Sequence, residues 1–116
     1  MIGRHLLLEH WGGATDRPTV EAAMRAAARA AGARVLSARF HPFEGGGLTG
    51  VLMLAESHIT IHTWPEHGFA ALDLFMCGDA PVEAAADLLD RALAPARSER
   101  RVLLRGQSNH SDQPAS

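Results

Sequence analysis

Residues 55–77 read AESHITIHTWPEHGFAALDLFMC, and their pattern is that of two β-strands joined by a turn. In the first strand Ile59 and Ile61 alternate with polar residues, which is the two-residue period of a half-buried strand. Residues 64–68 contain a proline and a glycine where a turn begins and ends. The second strand, Phe69 to Cys77, alternates again between a more polar face and an apolar one. An antiparallel pair is therefore predicted, and the rest of the chain must pack around it.

The same segment is unusually rich in reactive side chains. It contains Ser57 directly after Glu56, three of the seven histidines and the single cysteine, Cys77. Trp64 and Glu66 lie in the turn. A hairpin does not need these groups to fold, so they indicate a functional site.

Periodicity and turn residues predict the elements on either side. A strand is expected over residues 2–10, and a helix over 20–31, opened near Asp16 and Thr19 and ended by Gly32. Strands are expected over 33–41 and 48–56, separated by a loop containing three glycines at 45–47. Because no phosphate-loop pattern follows those glycines, they predict a hairpin loop. A second helix starts near Pro81 and ends before Pro95, a last strand covers 100–105, and residues 106–116 form a polar tail that is expected to be disordered.

These elements predict one α+β domain over residues 1–105. The architecture expected is a two-layer sandwich, with two helices on one face of a mostly antiparallel sheet. The other face of the sheet must then be covered by something else, since one-sided sheets expose apolar surface.

Composition restricts the function classes. A chain of 116 residues with 47% hydrophobic side chains is a globular domain, and its single cysteine excludes an intramolecular disulfide and a multi-cysteine metal site. The chain has no lysine, which excludes an internal Schiff base with pyridoxal phosphate. No signal peptide or membrane-spanning run is visible, so a cytoplasmic protein is expected. The net charge is −2, and the arginines between Arg97 and Arg105 are interpreted as a solvated edge rather than a nucleic-acid site.

Two kinds of chemistry can be tested against the central segment first. His58 and His62 are spaced to share one face of a strand, where Glu66, His67 or Asp73 could complete a metal site, but no single ligand set is favoured. A hydrolase is the other possibility, yet Ser57 lacks the glycines of a nucleophile elbow and Cys77 lacks a helix that would lower its pKa. Neither alternative accounts for the Glu56-Ser57 pair, and no metal is expected.

A resemblance to a known family does account for the Glu56-Ser57 pair. Residues 54–66 (LAESHITIHTWPE) and 73–78 (DLFMCG) resemble the short prokaryotic form of S-adenosylmethionine decarboxylase. GRHL at 3–6, FHPF at 40–43 and GLTGV at 47–51 resemble other signature stretches of that family, in the same order. The similarity extends over about residues 3–94.

The resemblance implies a self-processing, pyruvoyl-dependent decarboxylase. In that family the chain cleaves itself at the bond corresponding to Glu56-Ser57, and the serine becomes a covalently bound pyruvoyl group that forms a Schiff base with the substrate amine. The resemblance further implies that His62 is the processing acid/base, that Cys77 is the proton donor after decarboxylation, and that Thr49 assists processing where the family usually has serine.

The same resemblance implies a substrate, contacts and an assembly. Phe43 and Trp64 are candidates to stack on adenine or meet the sulfonium, Glu66 to bind the ribose hydroxyls, and Glu9 to bind substrate or support the pocket. The expected product is decarboxylated S-adenosylmethionine, used for spermidine synthesis, and the expected assembly is a homodimer of processed protomers. Two alternatives remain at this stage: a pyruvoyl-dependent ornithine or arginine decarboxylase, and an unprocessed relative that binds or regulates a partner.

Spacing adds one geometric expectation. Ser57 and His62 are five residues apart, and an odd separation in a regular strand places two side chains on opposite faces. If both serve one reaction, the backbone near Ser57 must bend or bulge.

Overall fold

The computed structural model describes residues 1–107 and contains six strands and two helices. The strands are β1 (Gly3–Trp11), β2 (Val35–Pro42), β3 (Leu48–Leu54), β4 (Ser57–Trp64), β5 (Phe69–Cys77) and β6 (Arg97–Arg105). The helices are α1 (Arg17–Ala30) and α2 (Val82–Leu93), and a short 3₁₀ turn at Pro65–His67 joins β4 to β5. The predicted α+β class is confirmed. Residues 108–116 of the predicted disordered tail lie outside the described residues.

The six strands form one sheet in the order β2-β3-β4-β5-β1-β6. Each of the five neighbouring pairs is antiparallel, so the sheet is antiparallel throughout rather than mostly so. The first strand inserts between β5 and β6, which makes β2 and β6 the two edges.

Both helices pack on the same face of the sheet. In β5 the even positions from Ala70 to Met76 are buried and the odd positions are only partly buried, which is the alternation predicted from the sequence. The buried strand residues share one core with the inward faces of the helices, including Met24 and Ala27 of α1 and Leu89 of α2. In residues 1–107 no element covers the opposite face, which is called the open face below.

Local sequence sets the helix limits. The Asp16 carboxylate accepts a hydrogen bond from the Thr19 backbone N–H at 3.1 Å and so caps α1. The chain leaves α1 at Gly32, whose φ of 72° is in the left-handed region that glycine tolerates. Pro95 follows α2 as predicted. Neither helix of the described part of the chain is long and apolar enough to cross a membrane.

Several predicted strand limits were wrong by a few residues. The strand expected over 48–56 ends at Leu54, because Ala55 and Glu56 form a turn although neither is a typical turn residue. The strand expected over 100–105 begins earlier, at Arg97, because its whole length pairs with β1. The glycine loop does join β2 to β3 as a hairpin, with the Phe43 N–H bonded to the Gly47 carbonyl at 2.8 Å.

Candidate active site

The Glu56-Ser57 peptide lies at a hairpin tip. Leu54 pairs with Ser57, so Ala55 and Glu56 are the two residues of the turn between β3 and β4. Glu56 is exposed and has a φ of 64°, a left-handed conformation that is costly for a residue with a side chain. The Ala55 N–H donates to the carbonyl of Arg34 at 3.1 Å, which ties the turn to the chain before β2.

Cys77 meets this peptide directly. It is the last residue of β5, and its Sγ donates a hydrogen bond to the carbonyl oxygen of Glu56 at 2.7 Å. A donor on a carbonyl oxygen makes the carbonyl carbon more electrophilic and stabilises negative charge on the oxygen. The structure therefore brings three of the predicted residues, Glu56, Ser57 and Cys77, to one place.

Thr49 and His62 form a second group. They are direct partners in the β3-β4 ladder, and Thr49 Oγ1 lies 3.0 Å from His62 Nδ1. A hydroxyl at Nδ1 orients the imidazole ring and leaves Nε2 available for proton transfer. Both side chains lie on the open face.

The two groups are far apart within one chain. The ladders of β4 with β3 and with β5 have no irregularity between Ser57 and His62. Five residues of regular strand separate them by about 16 Å. The expected bend within β4 is thus absent, because the distortion is confined to Glu56 in the turn. A single chain does not bring His62 to Ser57.

The predicted substrate contacts surround the second group. A cavity of about 420 Å³ is lined by Phe43, Trp64 and Glu66 together with Thr49 and His62. Phe43 and Trp64 are 54% and 41% exposed, which leaves their ring faces accessible to a ligand. Glycines of the 45–47 loop and Glu44 also line this cavity, a role that their hairpin pattern did not predict.

Glu9 lies outside that cavity. It is exposed on β1, paired with Ala71 of β5 on one side and Glu99 of β6 on the other. Since Ala71 also pairs with His62, Glu9 and His62 share one row of the open face with a small residue between them. Glu9 lines a separate cavity of about 300 Å³.

Sequence reasoning missed a cluster beside Cys77. His5 Nε2 lies 3.0 Å from Asp73 Oδ1, and the His58 ring stacks on Phe75 with a centroid distance of 5.8 Å. These positions alternate with buried ones, and this alternation could have predicted that they lie on the open face. It could not predict that β1 lies beside β5, which depends on strand order. Within residues 1–107 no group of three or more histidine, cysteine or carboxylate side chains is arranged to hold a metal ion, so the alternative metal site is not assembled.

Comparisons with known proteins identify one family. The sequence profile of the family described as S-adenosylmethionine decarboxylase matches residues 4–106. An S-adenosylmethionine decarboxylase proenzyme of Methanococcus vannielii is 48% identical over 82 residues, 67% of each chain. One from Methanococcus maripaludis is 39% identical over 110 residues, 90% of each chain.

A solved structure is also similar. The crystal structure of the adenosylmethionine decarboxylase from Aquifex aeolicus superposes with a TM-score of 0.77 at 33% identity, covering 94% of this chain and 98% of that one. The profile match spans nearly all the described residues and includes both groups of predicted site residues. The chain therefore belongs to the S-adenosylmethionine decarboxylase family, whose proenzymes make a pyruvoyl group from an internal serine.

Proposed function

We propose that this chain cleaves itself between Glu56 and Ser57 and that the processed enzyme decarboxylates S-adenosylmethionine. The observation that carries the proposal is the hydrogen bond from the Cys77 thiol to the carbonyl of Glu56, the turn residue directly before Ser57. This hydrogen bond supports a Glu56 carbonyl that is prepared for attack by Ser57. It therefore also supports Ser57 as the residue from which a pyruvoyl group can form.

Self-cleavage starts with attack of Ser57 Oγ on the carbonyl carbon of Glu56. The peptide C–N bond breaks and the hydroxyl proton passes to the nitrogen, so an ester replaces the amide. Removal of the α proton of residue 57 then expels the Glu56 carboxylate, and addition of water with loss of ammonia leaves a keto group at position 57. The products are chains 1–56 and 57–116.

Two side chains have separate tasks in these reaction steps. The Cys77 thiol stabilises the oxygen of Glu56 while it carries negative charge. An imidazole can accept the α proton through a free ring nitrogen, and His62 is oriented for such a role by Thr49.

Because His62 does not reach Ser57 in its own chain, we assign it to the other chain of a dimer. Cys77 and the Thr49-His62 group lie on the open face at separate places, and the Glu56-Ser57 peptide lies at the hairpin tip beside Cys77. A two-fold axis between two such faces would join each group to its complement twice, since an isologous interface repeats every contact. Exposed apolar residues on this face, including Val51, Met53 and Leu103, would be buried by the same contact.

Substrate binding and turnover use residues in and around the same two groups. Phe43 and Trp64 stack on the adenine or face the sulfonium, and Glu66 accepts hydrogen bonds from the ribose hydroxyls. The pyruvoyl group supplies the electron sink for loss of carbon dioxide. Cys77, next to residue 57, holds the proton that then returns to the α carbon of the product. Glu9 supports the pocket from the same row of the open face as His62.

Two measurements test this function. Denaturing mass spectrometry of the purified protein should show two chains that correspond to residues 1–56 and 57–116, while Ser57→Ala should show one intact chain. Labelled S-adenosylmethionine should release carbon dioxide only with the processed protein. Release from labelled ornithine or arginine instead would give the chain a different substrate, and an intact, inactive wild-type chain would refute the enzyme altogether.

A further inference from the structure

A row of side chains in contact crosses the open face at the end nearest the substrate cavity. Trp64 pairs with Phe69, Phe69 with Trp11, and Trp11 with Arg97, so the row passes over β4, β5, β1 and β6 without interruption. The proposed decarboxylation uses Trp64 but does not explain the other three residues. Their sequence positions, from 11 to 97, gave no sign that they would meet.

The spacings are those of direct ring contact. The ring centroids of Trp64 and Phe69 are 5.6 Å apart, and those of Phe69 and Trp11 are 5.2 Å apart. Arg97 Cζ lies 3.9 Å from the Trp11 centroid, so the guanidinium covers the far side of the indole. Tilted aromatic pairs and a cation over an indole are both attractive arrangements.

Backbone contacts hold the row in place. The Gly12 N–H donates to the Gly68 carbonyl at 2.7 Å, and the Ala96 N–H donates to the Trp11 carbonyl at 2.8 Å. Arg97 is further held by Glu99, with a nitrogen to oxygen distance of 3.0 Å. The row is thus anchored at Trp11 and Arg97, and its free end is Trp64.

Trp64 also separates two cavities. One is the substrate cavity with Thr49 and His62, and the other, of about 440 Å³, is lined by Trp11, His67, Phe69 and Trp64 itself. Without a neighbour on the second side, the partly exposed indole could rotate away from the substrate cavity. Phe69 occupies that side and restricts the rotation.

We propose that Arg97, Trp11 and Phe69 are positioning residues that hold the Trp64 ring ready to stack on the purine of the substrate. The proposal rests on the assignment of Trp64 to the substrate site. A side chain that is ordered before binding loses less conformational entropy when the ligand arrives, so the row increases affinity for the base without taking part in bond breaking.

The chain contains only two tryptophans, which makes the row directly observable. Trp11→Phe keeps an aromatic ring in the row and leaves Trp64 as the sole tryptophan. In that background we expect 5′-methylthioadenosine, a nucleoside with the purine and no amino-acid group, to quench Trp64 fluorescence. Phe69→Leu should weaken the measured Kd by about fivefold, while Phe69→Tyr should leave it unchanged.

Kinetics give a second readout. In the processed enzyme, Phe69→Leu and Arg97→Gln should raise KM for S-adenosylmethionine several-fold and change kcat by less than about twofold. Arg97→Lys, which keeps the charge, should recover part of the loss. Arg97 is exposed at a sheet edge, so its variants test the row even if Phe69→Leu fails to fold.

Specific results would overturn the proposal. Unchanged Kd and KM in the folded variants would show that Trp64 needs no support. If the variants lose kcat as much as they gain in KM, and if sedimentation shows that their dimer dissociates, then the row is part of the dimer interface instead. If the wild type releases no carbon dioxide, the proposed function fails, but the nucleoside titration still decides the role of the row.

Discussion

Glu56 combines an unfavourable backbone conformation with a carbonyl held by Cys77. Glu56 has a left-handed φ and its carbonyl accepts a hydrogen bond from the thiol, a costly conformation that suits the cleavage proposed at this bond. We expect Glu56→Gly to slow self-cleavage about threefold to tenfold, because glycine samples many turn conformations in which the carbonyl leaves the thiol. Gel densitometry during refolding would measure the rate.

Glu56→Asn is the matched control for this prediction. Asparagine tolerates the left-handed region better than other residues with a side chain, so its rate should stay near that of the wild type. In an uncleavable Ser57→Ala background, Glu56→Gly should also raise the free energy of unfolding by up to about 1 kcal/mol. A glycine variant that cleaves as fast as the wild type would contradict a role for this conformation.

Cys77 is predicted to act both in self-cleavage and in turnover of the substrate. Cys77→Ala removes the hydrogen bond to the Glu56 carbonyl, and we expect self-cleavage to slow by about tenfold or more. Once processed, the variant should inactivate during turnover, because protonation at the wrong carbon converts position 57 to alanine. Mass spectrometry of the 57–116 chain after turnover measures this. Cys77→Ser, which retains a donor, should cleave faster than Cys77→Ala, and normal turnover without inactivation would argue against the proton-donor role.

At the scale of elements, α2 is tied to the strands β1 and β6 through one carboxylate. Asp90 accepts hydrogen bonds from buried His10 at 2.8 Å, Ser98 at 2.8 Å and Arg100 at 2.7 Å. Partial burial on its own raises the pKa of Asp90, but the bonds from Ser98, His10 and Arg100 outweigh it and the pKa lies below its ordinary value.

This shift predicts acid sensitivity. A carboxylate whose pKa is lower in the folded state stabilises the fold fully above its unfolded pKa, near 4, and loses that contribution as the pH falls through the folded pKa. In the Ser57→Ala background, Asp90→Asn should lower the free energy of unfolding by roughly 1–2 kcal/mol at pH 7, a range limited by partial exposure.

Urea denaturation at pH 7 and at successively lower pH values measures the predicted effect of Asp90→Asn on the free energy of unfolding. The difference between the two proteins should shrink as the pH falls below about 4, since protonated aspartic acid and asparagine are both neutral. Asp79→Asn, at an exposed position before α2, serves as the matched control and should change stability little. A difference that stays constant down to pH 2 would show that Asp90 contributes through packing and not through its charge.

At the scale of the whole molecule, the open face and the separated groups predict a composite site. When Ser57→Ala and His62→Ala chains are expressed separately, neither should cleave. When they are expressed together, a mixed dimer unites the intact Ser57 of one chain with the intact His62 of the other at one of its two sites. With equal amounts and random pairing, up to about half of the His62→Ala chains should then be cleaved.

The same experiment has a built-in control. Co-expression of Ser57→Ala with a chain that carries both Ser57→Ala and His62→Ala should give no cleavage, because no intact serine is present. Sedimentation at the same concentrations reports whether dimers form. Cleavage of the His62→Ala chain on its own would remove His62 from processing, and dimers without complementation would place the two groups in separate reactions.

Particular elements show how far local patterns predicted this molecule. The alternation in 69–77 identified its buried residues correctly, because the period of a strand depends only on neighbouring residues. The end of β3 was misplaced, since the turn at Ala55 and Glu56 lacks glycine, proline or asparagine and is stabilised by contacts with Arg34 and Cys77 instead.

The amino-acid order alone was sufficient for the fold class, the family and the identity of the bond proposed for cleavage, because these depend on local periodicity and on a motif within thirteen consecutive residues. It did not determine which of those residues act together. Strand order places β1 between β5 and β6, brings Cys77 onto the Glu56 carbonyl and aligns Trp11 with Trp64, while a regular β4 keeps His62 about 16 Å from Ser57. Those distances depend on pairing between residues far apart in the chain, so only the folded sheet decides them.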